Sequence, residues 1–356
     1  MNAATGQVQE TGIFTPGQAL AAITSGRSLT REEAFSVMTA VMRGEATSAQ
    51  IGGIMVGLRM KGESVDEITG FAEAMRAFSD HVQTEQDDLL DTCGTGGSGI
   101  HKFNISTSSA IIAAAAGARV AKHGNRAMSG KAGSADVLEA LGVNIHLTAE
   151  QASACLARES ICFMFAQLYH PALKHAAAPR KEIGVRSIFN MLGPLANPAN
   201  ADRQLLGLYD RSRTETVAEV LGRLGLKRAM VVGSHDGLDE ISLSAPTQVS
   251  ELRGGEVTTY DITPEQLGLT TVPLGAVAGG DAAANAAIIR RVLAGEQGPY
   301  RDVVLANAGA CIYVAGRSDS LQDGVRVAAE TIDSGKAERK LAQWIATTGE
   351  LSTHVS

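Results

Sequence analysis

Aromatic side chains are scarce in this chain. They make up 4% of 356 residues, and Trp344 is the only tryptophan. The core must therefore be filled mainly by Ala, Val, Ile, Leu and Met. There are four cysteines, Cys93, Cys155, Cys162 and Cys311, with neither metal-ligand spacing nor a dense pairing pattern. That argues against a zinc module or a disulfide scaffold and implies reduced thiols in a cytoplasmic protein. An excess of basic residues is also missing, because the net charge is −7. A nucleic-acid partner would favour the opposite sign. The apolar run Ala110–Ala118 is far too short to cross a bilayer, so no membrane segment is expected. The opening residues 1–12 are polar, carry no basic apolar leader, and read as a frayed tail.

What remains is a globular composition, 44% hydrophobic and 19% charged, at a length that suggests two domains. Residues 13–82 read as a helical domain. Thr30-x-x-Glu33 and Ser64-x-x-Glu67 have the form of capping boxes, and each precedes apolar residues at spacings of three and four. From residue 86 short apolar runs alternate with helical stretches: Leu89–Thr92, Ala118–Lys122, Ile161–Ala166, Leu205–Tyr209, Ala229–Gly233 and Val303–Ala306. Such alternation predicts an α/β domain with a mainly parallel sheet over 86–175 and 199–350. Residues 176–198, rich in Pro, Gly, Asn and basic residues, form a candidate return into the helical domain. Thr247–Thr263, with Gly254–Gly255 at its turn, predicts a local antiparallel element.

Two loops carry most of the chemistry. The first is Asp91-Thr-Cys-Gly94-Thr-Gly-Gly97-Ser98-Gly99, between a strand and an Ala-rich helix that Asn104-Ile105-Ser106-Thr107 opens. Glycines let main chain approach a ligand closely, and a helix N-terminus favours an anion. No Gly-Lys-Ser/Thr follows at P-loop spacing, and the Gly-x-Gly-x-x-Gly register is absent. The second loop is Lys122-His123-Gly124-Asn125-Arg126-Ala-Met-Ser129-Gly130-Lys-Ala-Gly-Ser134. It sets cations among glycines and small polar residues, again before an apolar helix. Both loops suit phosphate groups held at strand C-terminal ends.

These motifs, with Arg180-Lys-Glu-Ile-Gly, Phe189-Asn-Met-Leu-Gly-Pro-Leu-Ala-Asn197-Pro and His235-Asp-Gly-Leu-Asp239-Glu240, resemble those of the anthranilate phosphoribosyltransferases. The resemblance runs from about Phe14 to Ala346. It implies a small helical domain joined to a larger α/β domain, in a homodimer that meets through the helical domains. It also implies a transfer from phosphoribosyl diphosphate to anthranilate with magnesium as cofactor. Gly94, Gly97, Ser98, Asn104, Ile105, Ser106 and Thr107 would hold phosphoribosyl diphosphate. So would Lys122, Gly124, Asn125, Arg126, Ser129, Gly130 and Ser134. Gly94, His123, Asn125 and Arg180 would hold anthranilate, a guanidinium being suited to its carboxylate. Ser106, Asp239 and Glu240 would hold magnesium. No covalent nucleophile or obligatory general base is implied, and His170 reads as structural.

The sequence departs from the family pattern at two places. Ser98 stands where the family usually has Asp, and Lys102 where a small hydroxyl residue is usual. Lys102 is therefore expected to share the diphosphate charge otherwise balanced by metal, which would weaken the magnesium dependence. Three rivals remain at this stage: a pyrimidine-nucleoside phosphorylase of similar architecture, a non-catalytic relative that binds nucleic acid or protein, and the same transfer to another aromatic amine.

Overall fold

A computed structural model describes residues 14–127 and 131–353. Four helices come first: α1 Pro16–Thr24, α2 Arg31–Met42, α3 Ser48–Lys61 and α4 Val65–Ala77. Then follow β1 Leu89–Gly94, α5 Ile105–Ala115, β2 Arg119–Gly124, α6 Ser134–Leu141, α7 Ala149–Glu159, β3 Ile161–Phe165 and α8 Ala166–Tyr169. The connecting helices α9 Lys174–Ile183 and α10 Phe189–Leu195 lead to β4 Arg203–Gly207, α11 Thr214–Arg223 and β5 Arg228–Ser234. A hairpin, β6 Thr247–Arg253 and β7 Glu256–Ile262, precedes α12 Ala282–Leu293, α13 Pro299–Val314, α14 Leu321–Asp333 and α15 Lys336–Thr353.

Each of the first four helices begins with a reciprocal capping box. Thr15, Thr30, Thr47 and Ser64 accept from the N3 amide, and the N3 side chain returns to the cap amide. This satisfies main-chain donors that would otherwise be left over at a helix start. The apolar faces of these helices meet in one core with Ile188, Phe189, Leu192 and Leu195 from the α10 region. The Arg76 guanidinium adds a bond to the Leu195 carbonyl at 2.7 Å.

The sheet runs β3-β2-β1-β4-β5-β6-β7. The first five strands are parallel, and β6 and β7 pair antiparallel. Successive side chains point to opposite faces. Leu205, Met230 and Val232 therefore join the core covered by α5 and α13, while Leu206, Ala229 and Val231 join the core shared with the helical domain. Val303–Ala306, expected as a strand, lies within α13. That helix is buried along nearly its whole length, so it is apolar on every side and shows no period. The residues 1–12 expected as a tail lie outside the described residues.

The crossing of α2 and α4 depends on Gly70. A Cβ there would stand 2.2 Å from the Arg31 carbonyl and 2.8 Å from the Ala34 Cβ. Alanine is the better helix former by about 1 kcal/mol, but here it must push two helices apart. Gly70→Ala is expected to destabilise the protein by about 1–3 kcal/mol, as overpacking does. Urea denaturation followed by circular dichroism measures this; a gain in stability would contradict the packing.

Candidate active site

Strand order reverses at β1. The chain winds outward through β2 and β3, then returns to place β4 on the other side of β1. A crevice opens at the C-terminal ends of strands at such a switch point. The two strands there end in glycines that face each other, Gly94 and Gly207. Asp239 lies against both. A Cβ on Gly207 would stand 2.0 Å from the Asp239 carbonyl oxygen, and one on Gly94 2.8 Å from Asp239 Oδ2. The Gly96 amide donates to Asp239 Oδ2 at 3.2 Å. The Thr95 amide donates to the Gly207 carbonyl at 2.9 Å.

Asp239 and Glu240 are both buried. Two adjacent carboxylates cannot be withdrawn from water without a compensating charge. Lys102 supplies it. Its ammonium lies 2.9 Å from Asp239 Oδ1 and 2.9 Å from Glu240 Oε1. The contact with Asp239 Oδ1 is one of charge rather than of aligned hydrogen bonding, for that oxygen has no hydrogen-bond partner among the described residues. Burial is the largest single influence and raises the Asp239 carboxyl, but the Lys102 ammonium together with the smaller pull of nearby donors outweighs it and holds the group below its ordinary value. For Glu240 burial prevails and its carboxyl is raised, with Lys102 opposing. Lys102 remains a cation, because the two carboxylates outweigh its own desolvation. The ammonium expected to meet diphosphate is thus held by the carboxylates.

The second loop rises from β2. Lys122 is 1% exposed. Its ammonium donates to the Thr92 carbonyl and lies 3.5 Å from Ser106 Oγ, which joins it to the start of α5. It has no salt-bridge partner among the described residues. Asn104 opens α5 without a side-chain cap. Its amide instead donates to the Ala132 carbonyl at 3.2 Å and its oxygen accepts from Asn285 at 2.9 Å, tying the two loops together. Ser134 Oγ donates to the Asn125 carbonyl at 3.3 Å. Arg126, expected to meet phosphate, is turned onto α6, where it pairs with Asp136 at 2.8 Å and with Glu139. Ser129 and Gly130 lie outside the described residues.

Below this loop lies a network that the sequence did not disclose. Asp91 is fully buried in β1. It accepts from the His123 amide at 3.1 Å and from Asn197 Nδ2 at 2.8 Å, and Asn197 also reaches the Ala121 carbonyl. Burial pushes the Asp91 carboxyl up to about 6, against the pull of Lys122 and these donors. The His123 ring meets the Gly193 carbonyl of α10 through Nδ1 at 3.1 Å and packs 5.0 Å from His170. Burial pushes His123 down to about 3 and His170 to about 4, so both are neutral at pH 7.

Arg180 stands on α9, on the helical side. Its guanidinium packs 5.3 Å from the Phe189 ring of α10 and has no salt-bridge partner among the described residues. Desolvation lowers its pKa. Arg186 donates to the Gly97 carbonyl at 2.6 Å and lies over Tyr209, while its own carbonyl accepts from Arg59 of α3. Asp91, Arg186 and Asn285 are therefore the site residues that sequence reasoning missed. For Asn285 a signal existed: Gly279-Gly280-Asp281 just before α12 has the look of a tight approach followed by a cap.

Among the described residues no group of three His, Cys, Asp or Glu side chains is arranged to hold a metal, and no helix is long and apolar enough to cross a membrane. The model of the glycosyl transferase family a/b domain matches residues 86–338, and that of the helical bundle domain matches 17–79. The chain is 54% identical to an anthranilate phosphoribosyltransferase of Brevibacillus brevis, over 91% of this chain and 95% of the relative. It is 52% identical to one from Thioalkalivibrio sulfidiphilus, over 93% and 98%. The crystal structure of the Thermus thermophilus anthranilate phosphoribosyltransferase superposes with a TM-score of 0.89 at 43% identity, over 93% of this chain and 99% of that one. The fold is shared by a Saccharomyces cerevisiae enzyme solved with PRPP and Mg, at 24% identity and a TM-score of 0.86.

The two histidines make stability depend on pH. Their folded values lie below the ordinary 6.5, so the unfolded chain takes up protons first as pH falls. Each histidine therefore withdraws up to about 1.4 kcal/mol per pH unit below about 6.5, and contributes no slope above it. Asp91 acts in the opposite sense: its raised carboxyl protonates in the folded protein before it does in the unfolded chain. His170→Gln isolates one histidine. Urea midpoints at pH 7 and pH 5 are expected to differ less for the variant than for the wild type. An equal difference would show that burial of neutral His170 is not what couples stability to pH.

Proposed function

The chain belongs to the anthranilate phosphoribosyltransferases of the glycosyl transferase family, and from that premise we propose that it joins phosphoribosyl diphosphate to anthranilate in tryptophan biosynthesis. The products are N-(5-phosphoribosyl)anthranilate and diphosphate, and the compartment is the cytoplasm. One feature favours this above all: Lys122, buried, and Arg180, half-buried, are cations without salt-bridge partners among the described residues. A buried charge needs a counter-ion. A diphosphate at the strand ends serves Lys122, and the carboxylate of the acceptor serves Arg180 by two parallel hydrogen bonds.

The amine of anthranilate is a neutral aniline at pH 7. Its nitrogen lone pair forms the bond to ribose C1 while the bond from C1 to the diphosphate oxygen breaks, with inversion. The nitrogen then loses a proton to solvent. Positive charge develops on the sugar and negative charge on the leaving oxygens. Lys122 and the uncapped first turn of α5, with Gly94, Gly97, Ser98, Ile105, Ser106 and Thr107, present fixed positive ends toward the latter. Gly124, Asn125 and Ser134 complete the phosphate cradle. Arg180, with His123, Asn125 and Gly94 along the ring, holds the acceptor in line for attack.

Magnesium suits the donor set. Asp239, Glu240 and Ser106 offer hard oxygens, and Asp239 Oδ1 lacks an aligned donor. When bound, the ion would supply charge neutralisation for the diphosphate. We also propose a homodimer through the helical domain, where α2 and α3 expose Phe35, Val56 and, at 84%, Met60.

Anthranilate fluorescence tests the reaction. Its loss is expected to require both phosphoribosyl diphosphate and protein; no loss with folded protein would remove the proposal. Arg180→Ala is expected to raise KM for anthranilate by about 10- to 100-fold with little effect on that for phosphoribosyl diphosphate, in proportion to a lost charge-assisted bond of about 1.5–3 kcal/mol. Lys122→Met is expected to lower kcat by about 100-fold or more, the range seen when one preorganised donor is removed. A variant at Arg180 that changed both KM values equally would place the guanidinium elsewhere.

A further inference from the structure

Lys102 sits in an unusual position for a phosphate-facing lysine. Its main chain is fixed on both sides by the segment 277–279. Lys102 bridges antiparallel to Ala278, the Gly279 amide donates to the His101 carbonyl at 3.0 Å, and the Phe103 amide donates to the Val277 carbonyl at 3.4 Å. The approach is so close that a Cβ on Gly279 would stand 2.5 Å from the Lys102 carbonyl carbon. Phe103 is fully buried and packs edge-on against Tyr300, whose hydroxyl donates to the Ala278 carbonyl at 2.8 Å. From this fixed base the side chain extends inward with 17% of its surface exposed, and its ammonium stands 2.9 Å from one oxygen of each carboxylate. It also lies 3.3 Å from the Asp239 carbonyl.

We infer that Lys102 is a tethered cation that neutralises the Asp239–Glu240 pair and that a divalent metal must displace to bind both carboxylates. This rests on the proposed role of that pair as metal ligands. Magnesium binds oxygen at about 2.0–2.1 Å. An ion shared by the two oxygens that Lys102 contacts would fall in the gap the ammonium fills, and a single charge and a double charge of like sign cannot share it. The main chain at 101–103 is clamped, so exchange proceeds by rotation of the four-carbon stem. Metal and lysine thus take turns on the carboxylates, and the buried pair is never left without a cation.

Binding of Mn2+ to the substrate-free protein, followed by electron paramagnetic resonance, tests this without reference to turnover. Lys102→Met is expected to bind Mn2+ at least about tenfold tighter than the wild type, a gain of about 1.4 kcal/mol. A second substitution, Glu240→Gln, is expected to abolish the gain. Equal affinity in wild type and Lys102→Met, lost from both with Glu240→Gln, would overturn the displacement while leaving the carboxylates as metal ligands. Binding insensitive to Glu240→Gln in either background would remove the metal role and the displacement with it. The wild-type protein supplies a measurement that no folding defect can obscure. Acetylation of Lys102 by acetic anhydride, read by mass spectrometry, is expected to be slow without metal and to rise severalfold at saturating Mn2+. Unchanged labelling would overturn the inference.

Discussion

The acidic corner of the site exists because two neighbouring strands end without side chains. Asp239 rests on Gly94 and Gly207, and a methyl group at 207 would overlap its carbonyl. That contact brings a carboxylate from the loop after β5 to the point where the sheet reverses its winding. Much of the local arrangement follows. Asp239 caps the Gly96 amide, Glu240 comes with it into the interior, and the pair requires a cation within reach. Lys102 can meet that need only because residues 277–279 grip its main chain.

The cations of the site divide into two kinds, and the division is electrostatic rather than positional. Arg126 and Lys102 are satisfied by carboxylates of the chain itself. Lys122 is buried and Arg180 half-buried, and both are left without such partners among the described residues. The first pair shapes loops; the second is the pair that the proposed function gives to its substrates. In a loop sequence all four look alike, because residue type states only that charge is present. Which charge is already neutralised depends on Asp136, Glu139, Asp239 and Glu240, two of which lie more than a hundred residues from Lys102.

What was legible in the sequence was local. The capping boxes at Thr30 and Ser64, the glycine loop after β1 and the hairpin around Gly254–Gly255 are all decided within a few residues, and they appear in the structure where the pattern put them. The parallel sheet followed from alternation. The misread segment, Val303–Ala306, fails for a related reason: a helix surrounded by protein has no polar face to mark its period. In sequence Asp91 only opens a loop motif. Its work in joining His123 to Asn197 spans three strands' worth of sequence and leaves no local trace.

The helical layer is discontinuous along the chain: α1 to α4 come first, and α9 and α10 reach the same core only after three strands have intervened. A ribosome therefore delivers most of that layer well before the pieces that finish it. Until residues 176–196 emerge, the surface that will receive Ala176, Ile188, Phe189, Leu192 and Leu195 stays open. By then β1, β2 and β3 have already been made. The helical domain and the first half of the sheet must consequently mature together, and the segment that completes one is the same segment that lays Arg186 and Gly193 against the other.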